Sequence, residues 1–489
     1  METTVKLHLR RQICTFALGF SFAVSVTSPG EADTLTQLPG QNLAQQKMAI
    51  SITNFCTPLN NLNAMIVHSG GTPPPGQVDL ANICTALVNN AATVNDPPPT
   101  FGLATRAEVN AALQQLNGGA ELLVPTSQAS VLQTTQTSRQ TGVVEARLSR
   151  QREGTVLASG EFPPTGQLAA LSPLEPGGQI LLAQNQAPDF AYAVGPLGVF
   201  ATGLGQFGSR NLTTSENGYS FNNAGFVVGA DYRFDRQLVA GAAFGYTQSN
   251  TSFDTSRLSA SGQFIHDNLL EGNLYATYSF TDALYMNAIA FVGGGSNNSQ
   301  RHVVIPSNDP VANQQAPVDQ IPTGSFGSQV QGVSVSGGYA LPFGPLVVTP
   351  IVRVLYQHTG VDGFSENAFS VNLRYGSSRV NTVLSSLGGD AQYTMSTRLG
   401  LLYPMARFHW AHQYSPGNTT VSPTFVNDAT QLSTLILPGT PTSANYFDLG
   451  VGLGLQLSPR SSAFISYDSI LGISHTTYNS FTAGVRFTF

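Results

Sequence analysis

Phe481-Thr482-Ala483-Gly484-Val485-Arg486-Phe487-Thr488-Phe489 ends the chain, with apolar residues at every second position and small, polar or charged ones between. A period of two belongs to a β-strand whose two faces meet different surroundings. The same pattern sets Phe447, Leu449, Val451, Leu453, Leu455 and Leu457 against Asp448, Gly450, Gly452, Gly454 and Gln456. It recurs where Leu270, Leu274, Ala276 and Tyr278 oppose Glu271, Asn273, Thr277 and Ser279. In a soluble sandwich the apolar face would meet a core. Here the segments are long and their second face is rich in glycine and isolated charge. Lipid outside and a wet lumen inside suit that better.

Composition points the same way. Charged residues make up 10% of the 489, against about 25% in an average globular chain. Mean hydropathy is only +0.01, and beyond the first thirty residues no apolar run reaches the length of a membrane-spanning helix. A closed barrel crosses a membrane without such runs, because its backbone groups pair between strands and only alternate residues face lipid. The net charge of −6 is spread out with no basic stripe, which excludes nucleic acid as a partner.

The alternation predicts an all-β transmembrane barrel of about twelve antiparallel strands. Their expected positions are near 196–208, 221–234, 237–250, 263–280, 283–297, 328–341, 345–359, 381–396, 399–415, 444–457, 461–474 and 478–489. Tight turns are expected at Phe234-Asp235-Arg236-Gln237, Phe280-Thr281-Asp282-Ala283, Leu341–Pro345, Met395–Arg398 and Leu457–Arg460, with long connections at 298–327, 360–380 and 416–443. Short turns alternating with long loops are what a periplasmic and an extracellular side produce, and an even strand number leaves both barrel ends on the periplasmic side.

Ahead of the barrel (196–489) the chain divides into four further regions. Residues 1–32 read as a cleaved signal peptide, with Lys6, His8, Arg10 and Arg11 before an apolar core at Ile13–Val26 and small residues at Gly30 and Ala32. Cys14, inside that core, receives no role. Residues 33–103 read as a small helical unit: Cys56, Leu59, Leu62 and Ile66, then Leu80, Ile83, Cys84 and Leu87, recur at helical spacing around a Gly/Pro break at 70–76. Cys56 and Cys84 would face each other and pair in an oxidising periplasm, which is worth about 3–4 kcal/mol for such a loop. Two buried free thiols are the alternative, and no metal-ligand pair accompanies them. Region 104–153 holds a short helix near 104–117 and a longer one from Pro125 to about Arg152, polar all round and suited to a lumen. Residues 154–195 are a linker.

Several stretches resemble the autotransporter β-domain family. Gly198-Val199-Phe200-Ala201, Gly229–Phe234 and Ala240–Tyr246 resemble its opening strands, and Pro404–His412 resembles a later strand in which Gln413 stands where an acidic residue is common. Phe425-Val426-Asn427-Asp428 matches a recurring extracellular-loop stretch, and Val144–Arg152 resembles the end of the pre-barrel helix. The resemblance implies an outer-membrane translocator, probed by lipid on its outside, inserted by the barrel-assembly machinery with periplasmic chaperones, and monomeric. Thr482, Gly484, Phe487 and Phe489 carry the spacing of a barrel-assembly signal, and the two aromatics also fit a girdle at the membrane interface.

Glu271, Arg353, Arg407, Asp448 and Arg486 are the lumen-facing candidates, together with His409 and His412, and their expected role is a structural network. No catalytic motif, cofactor fingerprint or metal set is written in the chain. Asn60-Asn61 and Asn89-Asn90 fall in the helical unit, so a self-cleaving Asn-Asn pair in the polar helix is not supported. Three readings stay open: a translocator that displays or secretes a short N-terminal segment, a structural or channel-like barrel with a periplasmic N-terminal unit, and an enzyme acting through its loops.

Overall fold

The computed structural model describes residues 34–93, 106–117, 196–213, 217–254, 262–305, 318–414, 420–438, 443–458 and 460–489. The signal peptide, the polar helix expected at 125–152 and the linker at 154–195 lie outside the described residues.

Twelve long antiparallel strands close into a barrel. They are β1 (Leu197–Arg210), β2 (Tyr219–Arg233), β3 (Leu238–Phe253), β4 (Phe264–Ser279), β5 (Leu284–Gln300), β6 (Thr323–Tyr339), β7 (Leu346–Val361), β8 (Ser378–Tyr393), β9 (Gly400–Gln413), β10 (Asn445–Ser458), β11 (Ser461–Leu471) and β12 (Thr476–Thr488). Each pairs with its neighbours in sequence, and β12 returns to β1 in a ladder from Gly198↔Thr488 to Arg210↔Thr476. Closure removes the free edges on which an open sheet would aggregate.

The short turns are written in local chemistry. The Asp235 carboxylate accepts from the backbone N–H groups of Gln237 and Leu238, both at 2.7 Å, and Phe234 N–H donates to the Leu238 carbonyl. Thr281 plays the same part between β4 and β5, accepting from Leu284 N–H at 2.9 Å. At the β6–β7 turn Gly344 takes φ +64°, a left-handed conformation that suits glycine. These turns, the start of β1 and the end of β12 share one end of the barrel. The long connections share the other.

Outward positions are apolar, as the alternation requires. Leu274 is 67% and Val451 61% exposed, and Phe226, Val352, Phe408 and Phe481 stand out likewise. A belt of this extent around a closed barrel is a lipid-facing surface. No described helix is long and apolar enough to cross a membrane.

Inside, aromatic rings lie over glycines directly opposite them on the next strand. Phe200 covers Gly229, Tyr275 covers Gly241, Phe291 covers Gly332 and Phe464 covers Gly484. A side chain at any of these glycines would meet the ring or a neighbouring carbonyl. The glycine content of the second face therefore has a packing cause, and Gly484 has one apart from any signal.

Most strands overrun the sequence expectation at the long-loop end. β3 reaches Phe253, β5 reaches Gln300, β6 begins at Thr323 and β8 at Ser378. There polar residues predominate on both faces, with only single aromatics such as Phe253 and Phe326 among them, so the alternation fades while the backbone ladder continues.

Gly332→Val must push the Phe291 ring or the β7 backbone aside, an overpacking that costs about 1–3 kcal/mol. Gly205 faces outward with nothing within 4 Å of an added Cβ. Urea titration of the heat-modifiable form should show Gly332→Val clearly destabilised and Gly205→Val close to the parent.

Candidate functional site: the lumen and its helical closure

Alternation turns Glu271, Arg353, Arg407, His409, Asp448 and Arg486 inward, each flanked along its strand by outward apolar residues. His412 does not join them. It shares the outward face of β9 with Trp410, its ring 6.0 Å away, and with Tyr414, 4.7 Å away. The parity of the strand decides this, since 408, 410, 412 and 414 point the same way.

The lumen charges are met by partners one or two strands away. Arg407 Nη1 lies 3.2 Å from Asp468 on β11, and its Nε lies 3.6 Å from Asp390 on β8. Asp390 also takes His409 Nε2 at 3.2 Å. Directly across β10 from His409 stands Asp448. In a second group Arg486 approaches Asp231 at 3.9 Å, and the Tyr275 hydroxyl donates to the same carboxylate at 3.3 Å. Glu271, only 1% exposed, sits between Gly245 and Gly293 on the flanking strands. Arg353 stands between Ser336 and Ser386. Asp231, Asp390 and Asp468 did not stand out in the sequence, although each occupies the inward parity of its strand. Distributed opposite charges of this kind line a polar passage.

At the long-loop end the passage is closed by three helices: α1 (Leu43–His68), α2 (Pro75–Thr93) and α3 (Arg106–Leu116). Asn42 starts α1 with a reciprocal cap: its side chain accepts from Gln45 N–H while the Gln45 side chain accepts from Asn42 N–H. Ala44, Met48, Ile52, Phe55 and Leu59 form the buried stripe of α1, and Leu80, Ile83, Leu87 and Ala91 that of α2. Cys56 and Cys84 are joined across these two helices, with sulfurs 2.20 Å and Cα atoms 5.6 Å apart. α3 also packs in this unit, where Gln45 Nε2 donates to Asn110 O at 2.9 Å. The helical unit therefore extends past the boundary expected at 103.

The other half of this core comes from the long connections. Val303, Ile305, Val371, Leu373, Leu435 and Leu437 are buried in one cluster with the helices, and the Phe55 and Phe425 rings lie 5.6 Å apart. The connections hold short ladders of their own: Val303–Ile305 with Val318–Gln320, and Leu373–Tyr375 with both Phe364–Ser365 and Thr424–Phe425. Phe425-Val426-Asn427-Asp428 is a seat for the helices. Asn427 Nδ2 donates to Phe369 O at 3.0 Å and to Asn372 Oδ1 at 2.7 Å, while Asp428 accepts from Ser433 N–H at 2.8 Å. Gly76, opening α2, lies so close to the Phe369 carbonyl and Asn427 that a Cβ has no room.

One buried ion pair ties helix to loops. Arg301 holds Glu366 through two parallel bonds, Nε to Oε1 at 2.7 Å and Nη2 to Oε2 at 2.6 Å, with both side chains at most 3% exposed. Arg301 further donates to Gln115 O on α3 at 3.2 Å and to Val371 O at 3.0 Å, and Glu366 accepts from Leu373 N–H at 2.9 Å. Ser51 Oγ donates to Ser433 O at 2.9 Å, and Gln114 to Asn217 at 3.2 Å. The helices are thus fixed to loops from around the barrel mouth. No group of residues able to hold a metal ion occurs among the described residues.

The Autotransporter beta-domain family is matched over residues 199–468. The chain belongs to the autotransporter β-domain family. An autotransporter barrel of this kind resides in the bacterial outer membrane, which accounts for the outward apolar belt. Similar solved structures include the translocator domain of the autotransporter NalP from Neisseria meningitidis, 14% identical over 61% of this chain and 91% of that one, with a TM-score of 0.45. The β-domain of the Bordetella autotransporter BrkA is 15% identical over 60% and 100% of the two chains, with a TM-score of 0.41. The transport unit of AIDA-I from Escherichia coli is 13% identical over 63% and 94%, at 0.37. No curated protein matches the chain.

Glu366→Ala leaves Arg301 buried without its carboxylate, a change that costs about 3–5 kcal/mol when one partner of a buried pair is removed. Limited proteolysis of the folded autotransporter barrel should then cut within or beside α3 much faster than in the parent. Heat-modifiable migration of the barrel should be kept.

Proposed function

We propose that this autotransporter barrel carries its own N-terminal helical unit to the cell surface and retains it there as a cap. The observation that supports this is the shared core between α1, α2, α3 and the long connections, since autotransporter-type barrels present their long loops outside. Asn117 lies at the long-loop end with Gln115, while Pro196 lies at the other end with the short turns. Between those positions the chain changes sides of the membrane. A stretch holding Arg139, Glu145, Arg147 and Arg150 has no favourable route through hydrocarbon. The lumen, with its paired charges, is the wet route, and the polar helix expected at 125–152 suits it.

The reading includes export by the cleaved signal at 1–32, insertion by the barrel-assembly machinery with periplasmic chaperones, and a monomeric barrel. The outward aromatics Phe487 and Phe489, with Thr482 and Gly484, are the proposed assembly signal. Closure of the outer mouth speaks for display over an open channel.

An epitope inserted between Gly70 and Gly71, in the exposed turn joining α1 and α2, tests the display. Antibody should label it on intact cells. Labelling only after the outer membrane is permeabilised would assign the helices to the periplasm and end this reading. Deleting Phe489 should separately lower the outer-membrane, heat-modifiable form and raise periplasmic degradation. An unchanged yield would remove the assembly role of the C-terminal aromatic.

A further inference from the structure

Near the long-loop end, three strand pairs carry the same arrangement on the outward face. His266 of β4 stands directly across from Asn250 of β3, His358 of β7 from Asn381 of β8, and His412 of β9 from Asn445 of β10. In each, imidazole Nδ1 lies against the carboxamide Oδ1, at 2.5, 2.7 and 2.9 Å. Each has an aromatic ring beside it. Phe264 lies 4.3 Å from the His266 ring, and His412 sits between Trp410 and Tyr414. Tyr356, two residues before His358, donates its hydroxyl to Asn381 Oδ1 at 3.3 Å.

A carboxamide oxygen only accepts, so Nδ1 donates and a neutral imidazole keeps Nε2 as an acceptor. No described residue takes Nε2 in any of the three. The carboxamide nitrogens of Asn381 and Asn445, both exposed, add donors alongside. The clusters on β7–β8 and β9–β10 thus offer an acceptor, a donor and a ring within a few ångströms; in the one on β3–β4, Asn250 Nδ2 already donates to Asn222 Oδ1 at 3.3 Å and has one N–H left to give.

Strand length sets their height. β4 and β7 have 16 residues each. At about 3.3 Å per residue and a tilt of about 40°, such a strand rises roughly 40 Å, against an apolar band of about 25 Å. The excess lies at the long-loop end. Below His266 the outward face runs through Leu270, Leu274 and Tyr278, and below His412 through Trp410 and Phe408. The clusters therefore stand just above the hydrocarbon, among lipid head groups. Arg379 beside Asn381 apart, the positions flanking them on this face are uncharged. A surface built for lipid phosphate would carry lysine and arginine.

We propose that these three imidazole–carboxamide–aromatic clusters bind the sugar portion of glycolipids in the outer leaflet. A sugar hydroxyl donates to Nε2, a ring or hydroxyl oxygen accepts from the asparagine Nδ2, and the C–H face of the sugar lies against the aromatic ring. Like the display of the helices, the inference rests on the long-loop end facing outward; the binding test, made in detergent, reads it separately.

The full chain, folded in detergent, is mixed with lipopolysaccharide, with dephosphorylated lipopolysaccharide, or with phosphatidylglycerol, and the lipid retained per barrel is read by native mass spectrometry. The parent should retain both lipopolysaccharides above phosphatidylglycerol. The variant His266→Ala, Asn250→Ala, His358→Ala, Asn381→Ala, His412→Ala, Asn445→Ala should lose about tenfold in glycolipid retention and keep its phosphatidylglycerol. Should that variant fail to give the heat-modifiable form, His412→Ala with Tyr414→Ala should lose the share held by its one cluster. Equal retention by parent and variant overturns the proposal. So does loss of binding on dephosphorylation, which would assign the contact to phosphate.

Discussion

The pairing of β1 with β12 is the constraint on which the rest depends. Until Gly198–Arg210 meets Thr476–Thr488, twelve strands make an open sheet with two bare edges and an apolar face on the outside. Hydrocarbon offers no partner to an unpaired N–H or C=O, so the open form is untenable in a membrane. Once closed, each strand is satisfied by its neighbours, and the inward face is free to be small and polar. The interlock of rings over glycines belongs to that closed form. Phe464 fills the space above Gly484 because the register of β11 and β12 sets them opposite each other.

Closure also decides how charge is handled. Residues such as Arg407 and Arg486 project into a lumen where water competes less than in bulk, and a lone ion there is costly. Their carboxylates come from other strands, Asp468 and Asp390 for one and Asp231 for the other. Such pairs form only when the register is right, so they favour one alignment of the strands over a slipped one.

The barrel was legible because a two-residue period has few explanations when the outside is lipid. The strand positions, the short turns and the autotransporter resemblance all came from local pattern, as at Asp235 and in the alternation ending at Phe489. What was lost lay where the pattern has no period. At the long-loop ends of β3, β5, β6 and β8 polar residues predominate on both faces, so the ladder continues unseen. The stripe Met48, Ile52, Phe55, Leu59 announced a buried helix face without saying what buries it. Val371, Leu373 and Tyr375 alternate with Asn372 and Arg374 over too short a run to say which core they join, and Phe425 stands without such a pattern. Arg301 and Glu366 are 65 residues apart, and only the folded loops bring them together. His412 was assigned by residue type, when its odd or even position along β9 carried the answer.

The dependence of the helices on the connections has a consequence for how this sequence drifts. Surface loops ordinarily tolerate insertion and replacement because little of them is buried. Here Val303, Ile305, Leu373 and Leu437 are core residues, and a change in one must be answered on a helix encoded hundreds of positions earlier. Variation at this end of the barrel is therefore channelled away from these connections and toward solvent-facing helix positions such as Asn61, Ala64 and Met65. The most conservative part of this end should be the loops, and its most changeable part a helix.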